Sequence, residues 1–263
     1  MKTLTLNLKR RVAYVAVTAL FAVGAGVSGT QAAIIDLGFL LDESGSVGST
    51  NYTTAKTALA NALASIPTTG ANQYRVGVVS FSGSATTLVT PTIVTGDNLG
   101  TIQSAITGDS HSGGTTNMTA GINQLVADFD AVGLGSTSLM NITTDGQPNS
   151  DSNASSAASD ALAAGWDSIS AEAIGSADTA FLLSIASPTP SVLVNPGDDI
   201  PNPLTNGFVI TVANFDAYGD AIEAKVQRIV DSAVVPVPAA LPLLLGGLGV
   251  LGFLGHRRKT AAA

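Results

Sequence analysis

The chain has 263 residues and a formal net charge of −8, a length that allows one or two domains. Seven terminal cations (Lys2, Lys9, Arg10, Arg11, Arg257, Arg258, Lys259) hide a more acidic body, in which Lys56, Arg75, Lys225 and Arg228 stand against all 19 acids and leave −15. Such a body repels nucleic acid and anionic lipid and attracts divalent cations, and the absence of cysteine removes thiolate metal sites, disulfides and cysteine nucleophiles.

Residues 1–32 have the parts of a secretory signal peptide: basic Lys9, Arg10 and Arg11, an apolar core from Val12 to Val27, and small residues at Thr30 and Ala32. Cleavage is expected after Ala32, with Ala33 as the alternative. Ile34 to Leu41 is then an apolar run broken only by Asp36 and Gly38, the pattern of a strand buried on both faces of a parallel sheet. It ends abruptly in Asp42-Glu43-Ser44-Gly45-Ser46. In open α/β sheets ligands bind at that edge. One Asp and two Ser spaced two apart offer only oxygen, which suits Mg²⁺, Mn²⁺ or Ca²⁺ rather than zinc or copper.

Asn51 to Ile66 has helical spacing (Tyr52, Ala55, Leu59, Leu63, Ile66), with Ser49, Thr50 or Asn51 as its cap and Pro67 as its stop. Gln73–Ser80 and Thr86–Val94 read as strands joined by a turn at Ser82-Gly83-Ser84, and Asn98–Ile106 as a short helix. Asp109–Asn117 is a glycine-bearing loop. Helices are expected at Thr116–Phe129, Ala154–Ala164 and Ala177–Ala186, and strands at Ser138–Thr143 and Ile169–Ile174. Ser187–Asn206 holds five of the 11 prolines and reads as a surface excursion with one short strand at Val192–Val194. Gly207–Val212 is the last strand and Phe215–Ile229 the last helix. Strand and helix alternate, which predicts an α/β fold: a doubly wound, mostly parallel sheet with helices on both faces.

The C-terminal stretch has three parts in order. Val234–Pro238 is a rigid extended segment, 239–255 is an uncharged apolar stretch at the short end of a membrane span, and 256–263 begins with His256, Arg257, Arg258 and Lys259. Basic residues stay cytoplasmic, which places the body outside. With Val235-Pro236-Val237-Pro238-Ala239 as the motif, residues 234–263 resemble a PEP-CTERM sorting signal of the VPLPA variety. That resemblance implies a Gram-negative bacterium, processing by an exosortase-type enzyme, and a protein either anchored in the cell envelope by its C-terminal transmembrane helix or released to the surface or matrix.

Three loops would meet at one sheet edge: Asp42, Ser44 and Ser46 after the first strand, Gly113-Gly114-Thr115 before the central helix, and Thr144-Asp145-Gly146 after the SLMNIT strand. These residues resemble the metal-ion-dependent adhesion site of the von Willebrand factor type A domain, a Rossmann-like fold, and the resemblance spans residues 33–233. It implies that Ser44 and Ser46 coordinate a divalent cation directly, Thr115 at least in the ligand-bound state, and Asp42 and Asp145 largely through water. Mg²⁺ is the first expectation, with Mn²⁺ or Ca²⁺ as alternatives. Mostly neutral oxygens leave the ion short of one ligand, which a partner's carboxylate fills. Glu43 reads as a solvated residue, His111 as an exposed loop residue, Asp198 and Asp199 as a solvated turn, Trp166 as a packing residue and Arg75 as a structural charge.

The expected function is therefore an exported surface or matrix adhesion module, not an enzyme, that engages a protein carboxylate or an anionic exopolysaccharide. The rivals are a structural subunit of an envelope or matrix assembly with a non-adhesive site, and a metal-dependent hydrolase. Against the hydrolase, only His111 and His256 exist, and no Gly-x-Ser-x-Gly elbow is present.

Overall fold

The computed structural model describes residues 32–232. The signal peptide expected at 1–32, Ala32 apart, and the sorting segment expected at 234–263 lie outside them. Among the described residues no helix is long and apolar enough to cross a membrane.

Seven strands form one sheet: β1 (Ala33–Asp42), β2 (Asn72–Phe81), β3 (Ala85–Ile93), β4 (Thr137–Thr144), β5 (Ser168–Ile174), β6 (Val192–Val194) and β7 (Phe208–Val212), in the spatial order β3-β2-β1-β4-β5-β7-β6. Every pairing is parallel except β2 with β3. The helices are α1 (Gly48–Ala62), α2 (Leu99–Gly108), α3 (Met118–Asp130), α4 (Asp151–Ala163), α5 (Thr179–Ile185) and α6 (Phe215–Ser232). The mostly parallel sheet with helices is the fold expected from the alternation of patterns.

Side chains of β1 alternate between two cores, as the pleat requires. Ile35, Leu37, Phe39 and Leu41 pack with Tyr52 and Leu59 of α1 and Tyr218, Ile222 and Val226 of α6. Leu40 packs on the other face with Ile122, Leu125 and Phe129 of α3 and the alanines of α4. Gly38 and Gly77 are register partners. A Cβ on Gly38 would lie 2.7 Å from both Leu125 and Trp166, and one on Gly77 would lie 2.5 Å from Phe129. The two glycines thus make the trough in which Phe129 and Trp166 meet edge to face, ring centroids 5.0 Å apart. Trp166 is the packing residue its sequence context indicated.

Beside this trough sits a buried ion pair. Asp36 and Arg75 are register partners on β1 and β2, and Arg75 donates from Nε at 2.7 Å and Nη2 at 2.8 Å to the two Asp36 oxygens. Asp36 also accepts from the Gly135 backbone at 2.6 Å. The pair therefore fixes the loop entering β4 as well as the β1–β2 contact.

Several helix boundaries differ from expectation, those of α1 and α4 most informatively. α1 begins at Gly48, ahead of the residues expected to cap it, and its N-cap Val47 makes no side-chain capping bond. The cause is Val47 itself, which is buried while its N–H turns back to Ser44 O at 3.2 Å. The chain therefore passes from the polar loop straight into the helix. At the other end the α-helix gives way to a 3₁₀ turn at Leu63–Ser65, and Ile66 is extended, as expected for a residue before proline. α4 likewise starts earlier than expected, because Ser150 caps it by accepting from Asn153 N.

Removing one member of a buried ion pair leaves an uncompensated charge. Asp36→Ala is expected to lower stability by about 3–5 kcal/mol in chemical denaturation. A loss below about 1 kcal/mol, the scale of an exposed pair, would contradict a structural role.

Candidate metal centre

The chain runs from β1 outward through β2 and β3, then returns to β4 on the other side of β1. The carboxyl ends of β1 and β4 therefore flank the point where strand order reverses, the place where open α/β sheets form a ligand crevice. Asp42 is the last residue of β1 and Thr144 the last of β4. Thr144 Oγ1 donates to Asp42 Oδ2 at 2.6 Å, and the Ser44 backbone donates to Asp42 Oδ1 at 2.8 Å. Asp42 is thereby fixed at both oxygens.

Ser44, Ser46 and Asp145 come together next to it. Ser46 Oγ donates to Asp145 Oδ1 at 2.7 Å. Its proton is thus committed, so in the 3.1 Å contact between the two serine hydroxyls Ser44 is the donor. A Cβ on Gly146 would lie 3.7 Å from Ser46 Oγ and 3.8 Å from Thr116 Oγ1. Both hydroxyls therefore border the space that Gly146 keeps clear.

Thr115 is placed differently. Its Oγ1 accepts from Asn149 Nδ2 at 2.9 Å and lies 3.7 Å from where a Gly83 Cβ would be. It makes no hydrogen bond to Asp42, Ser44, Ser46 or Asp145. Thr116, its neighbour, is the hydroxyl that shares the Gly146 side of the site with Ser46. Thr116 Oγ1 likewise makes no hydrogen bond to those four residues, but it faces the Gly146 space that Thr115 Oγ1 does not. Two adjacent hydroxyls stand at Thr115-Thr116, and spacing alone does not say which one turns that way. Nor does the sequence single out Asn149. Asn149 Oδ1 accepts from Thr116 N at 2.9 Å and Asn149 N donates to Thr116 O at 2.8 Å, clamping this segment to the loop after β4.

Two expectations about exposure are overturned. Glu43 is buried at 4% exposure, not solvated. Its Oε2 accepts from Ser112 N at 2.9 Å and its Oε1 from Ser80 Oγ at 3.2 Å. His111 is half-buried. Its Nε2 donates to Ser44 O at 3.1 Å, and its ring sits 5.8 Å from that of Tyr52. Together with Gly45 N donating to Gly114 O at 2.9 Å, these contacts fasten the 109–114 loop onto the Asp42–Ser46 loop. Glu43 turns inward because the first loop folds over β2, where Ser80 waits. Asp198, by contrast, is the exposed turn residue expected, accepting from Asn195 N at 2.9 Å.

The electrostatics are one-sided. Among the described residues the ion pairs are Arg75–Asp36 and Lys225–Glu172, so Asp42, Glu43 and Asp145 face no protein cation. Burial holds the Asp42 carboxyl above its ordinary value, and the charge of Asp145 pushes the same way; the hydrogen bonds from Thr144 and Ser44 oppose both. A cation placed there would oppose the effect of burial on Asp42. No group of three or more His, Cys, Asp or Glu is gathered among the described residues. Any ion held here therefore depends on hydroxyls as well as carboxylates, a hard-donor set.

The sequence model of the von Willebrand factor type A domain matches residues 36–224. No curated protein matches the chain. Among solved structures, the fold is similar to proximal thread matrix protein 1 from the mussel byssus, solved with zinc in its MIDAS motif. Identity is 21%, covering 74% of this chain and 46% of that one, with a TM-score of 0.55. It is similar also to a von Willebrand factor type A protein from Catenulispora acidiphila, at 16% identity over 74% of this chain and 42% of that one, TM-score 0.57. A third likeness is to the pilus adhesin SpaC of Lactobacillus rhamnosus GG, at 16% identity over 75% of this chain and 31% of that one, TM-score 0.57. This chain thus spans less than half the length of each of these proteins.

Thr116→Val is expected to weaken divalent-metal binding at least about tenfold, the scale of losing a group that ligates or orients, while Thr115→Val changes it less than about twofold. Calorimetric metal titration of the two variants distinguishes them. The reverse order would return the role to Thr115.

Proposed function

This chain belongs to the von Willebrand factor type A family, and from that premise we propose that it is an adhesion module holding one divalent cation among Asp42, Ser44, Ser46, Asp145 and Thr116. The observation that carries the proposal is the gathering of hydroxyls and uncompensated carboxylates where strand order reverses. Ser44 and Ser46 supply hydroxyl oxygens, Asp42 and Asp145 act largely through water, and Thr116 takes the place expected of Thr115. When bound, the cation offers positive charge and an open position to an acidic group from outside.

Mg²⁺ is the proposed ion, because the site's donors are oxygens and a water-rich shell suits it. The mussel protein's zinc means that zinc belongs in the test with Mn²⁺ and Ca²⁺, since carboxylate oxygens also bind Zn²⁺. The partner is proposed to be a protein presenting a carboxylate or an anionic exopolysaccharide. Export through the N-terminal signal, exosortase-type processing and attachment through the C-terminal helix complete the proposal. A hydrolytic reading is disfavoured by His111, whose Nε2 is taken by a backbone carbonyl rather than a serine hydroxyl, so among the described residues no Ser–His hydrogen bond is set for nucleophilic attack.

A ligand that binds only the folded state stabilises it by about 2.7 kcal/mol at a hundredfold excess over its Kd. The full chain should therefore melt at a higher temperature with Mg²⁺ than with chelator, and identical melting would count against metal binding. Ser44→Ala combined with Ser46→Ala should abolish that rise, and with it the chelator-sensitive retention of native matrix material on the immobilised protein. Equal retention with and without chelator would favour the structural-subunit role.

A further inference from the structure

Away from the metal centre, beneath α6, three buried side chains meet that the proposed adhesion does not use. Asn141 comes from β4, Glu172 from β5 and Lys225 from α6. Their exposures are 4%, 0% and 1%. Lys225 Nζ is in direct contact with the Asn141 side-chain carbonyl. Glu172 bridges the two: its Oε1 accepts from Lys225 Nζ at 2.8 Å and its Oε2 from Asn141 Nδ2 at 2.8 Å. Thr143 Oγ1 donates to the same Oε2 at 3.0 Å and contacts the Tyr218 hydroxyl at 3.1 Å. The Phe208 ring lies 5.1 Å from Nζ.

An ion pair would account for the lysine and the glutamate. It leaves over the amide, whose carbonyl is held against the amine while its nitrogen sits on the other oxygen of the same carboxylate. Acyl transfer needs an amine beside the amide it attacks and a group to carry protons between the two nitrogens; here Nζ lies against the amide oxygen, and one carboxyl touches both the attacking and the leaving nitrogen. We propose that Lys225 and Asn141 join in an autocatalytic amide bond, with Glu172 as the proton carrier.

The step balances without any oxidant or co-reactant. Lys225 passes a proton to Glu172 Oε1, leaving a free amine and a carboxylic acid. The Nζ lone pair forms a bond to Asn141 Cγ, and the carbonyl π electrons move to Oδ1. Glu172 gives its proton to Nδ2 and takes one from Nζ. The C=O bond re-forms, the Cγ–Nδ2 bond breaks, and ammonia departs. The products are one secondary amide, one ammonia and Glu172 in its acid form. Burial favours the first step, since it lowers the affinity of Lys225 for its proton, although the nearby Glu172 opposes this. Exclusion of water also protects the product from hydrolysis.

The bond would join residues 84 apart in sequence and tie the last helix to an inner strand. In a chain with no cysteine it would do the work of a disulfide.

The test is intact mass spectrometry of the full chain followed by proteolytic mapping. The expected wild-type mass is one ammonia below that of the unmodified sequence, with Asn141 and Lys225 recovered in one branched peptide. Lys225→Arg and Glu172→Gln should recover the full mass and give separate linear peptides. A folded wild-type chain at full mass would overturn the proposal without recourse to any variant. So would an ammonia loss with Asn141 and Lys225 in separate peptides, which is a cyclised asparagine elsewhere or at Asn141 itself.

Discussion

Negative charge is concentrated at one edge of the sheet. Asp42 ends β1 and Asp145 follows the last residue of the neighbouring parallel strand β4, and the fold holds their carboxylates at one edge with no ion-pair partner among the described residues. Hydrogen bonds from Thr144, Ser44 and Ser46 fix the oxygens without neutralising them. Neutral donors orient charge but do not cancel it. The hydroxyls of Ser44 and Ser46 lie at this edge, and that of Thr116 borders the same space beside Gly146; the cation we propose there would meet oxygen donors from three loops.

The few cations of the body explain why the edge stays negative. Arg75 is held by Asp36 at the opposite end of β1. Lys225 is buried with Glu172, and Lys56 donates to the backbone carbonyls of Thr107 and Asp109. These three hold elements together: β1 to β2, α6 to the sheet, α1 to the loop that leads toward the site; the fourth, Arg228, lies on α6 and forms no ion pair among the described residues. The three positive charges are thus engaged within the scaffold, and Asp42 and Asp145 at the carboxyl edge keep no cationic partner among the described residues. Parallel strands make this economical, because both acids fall on the same edge by topology alone.

Much of this was legible in the sequence, and the parts that were not share a cause. Strands showed as apolar runs, and α6 as Phe215, Tyr218, Ile222, Val226 and Ile229 at helical spacing, all buried. What misled was the use of polarity as a proxy for exposure. Glu43 reads as solvated beside Asp42, yet it turns inward to Ser80 and Ser112. Lys225 lies on the apolar stripe of α6, and Glu172 sits between two alanines of a buried strand; both carried a signal, because a charge at a core position needs a partner. The choice between Thr115 and Thr116 carried none. It is set by Asn149, a residue more than thirty positions away, and no local pattern encodes which hydroxyl that clamp turns toward Gly146.

Anomalous scattering from crystals grown with Mn²⁺ would locate the proposed cation without recourse to any variant. Occupancy of the site gives a single strong peak bordered by the Ser44, Ser46 and Thr116 hydroxyls, with Asp42 and Asp145 around it. A map with no peak there, or with its strongest peak elsewhere on the acidic surface, would contradict the proposal.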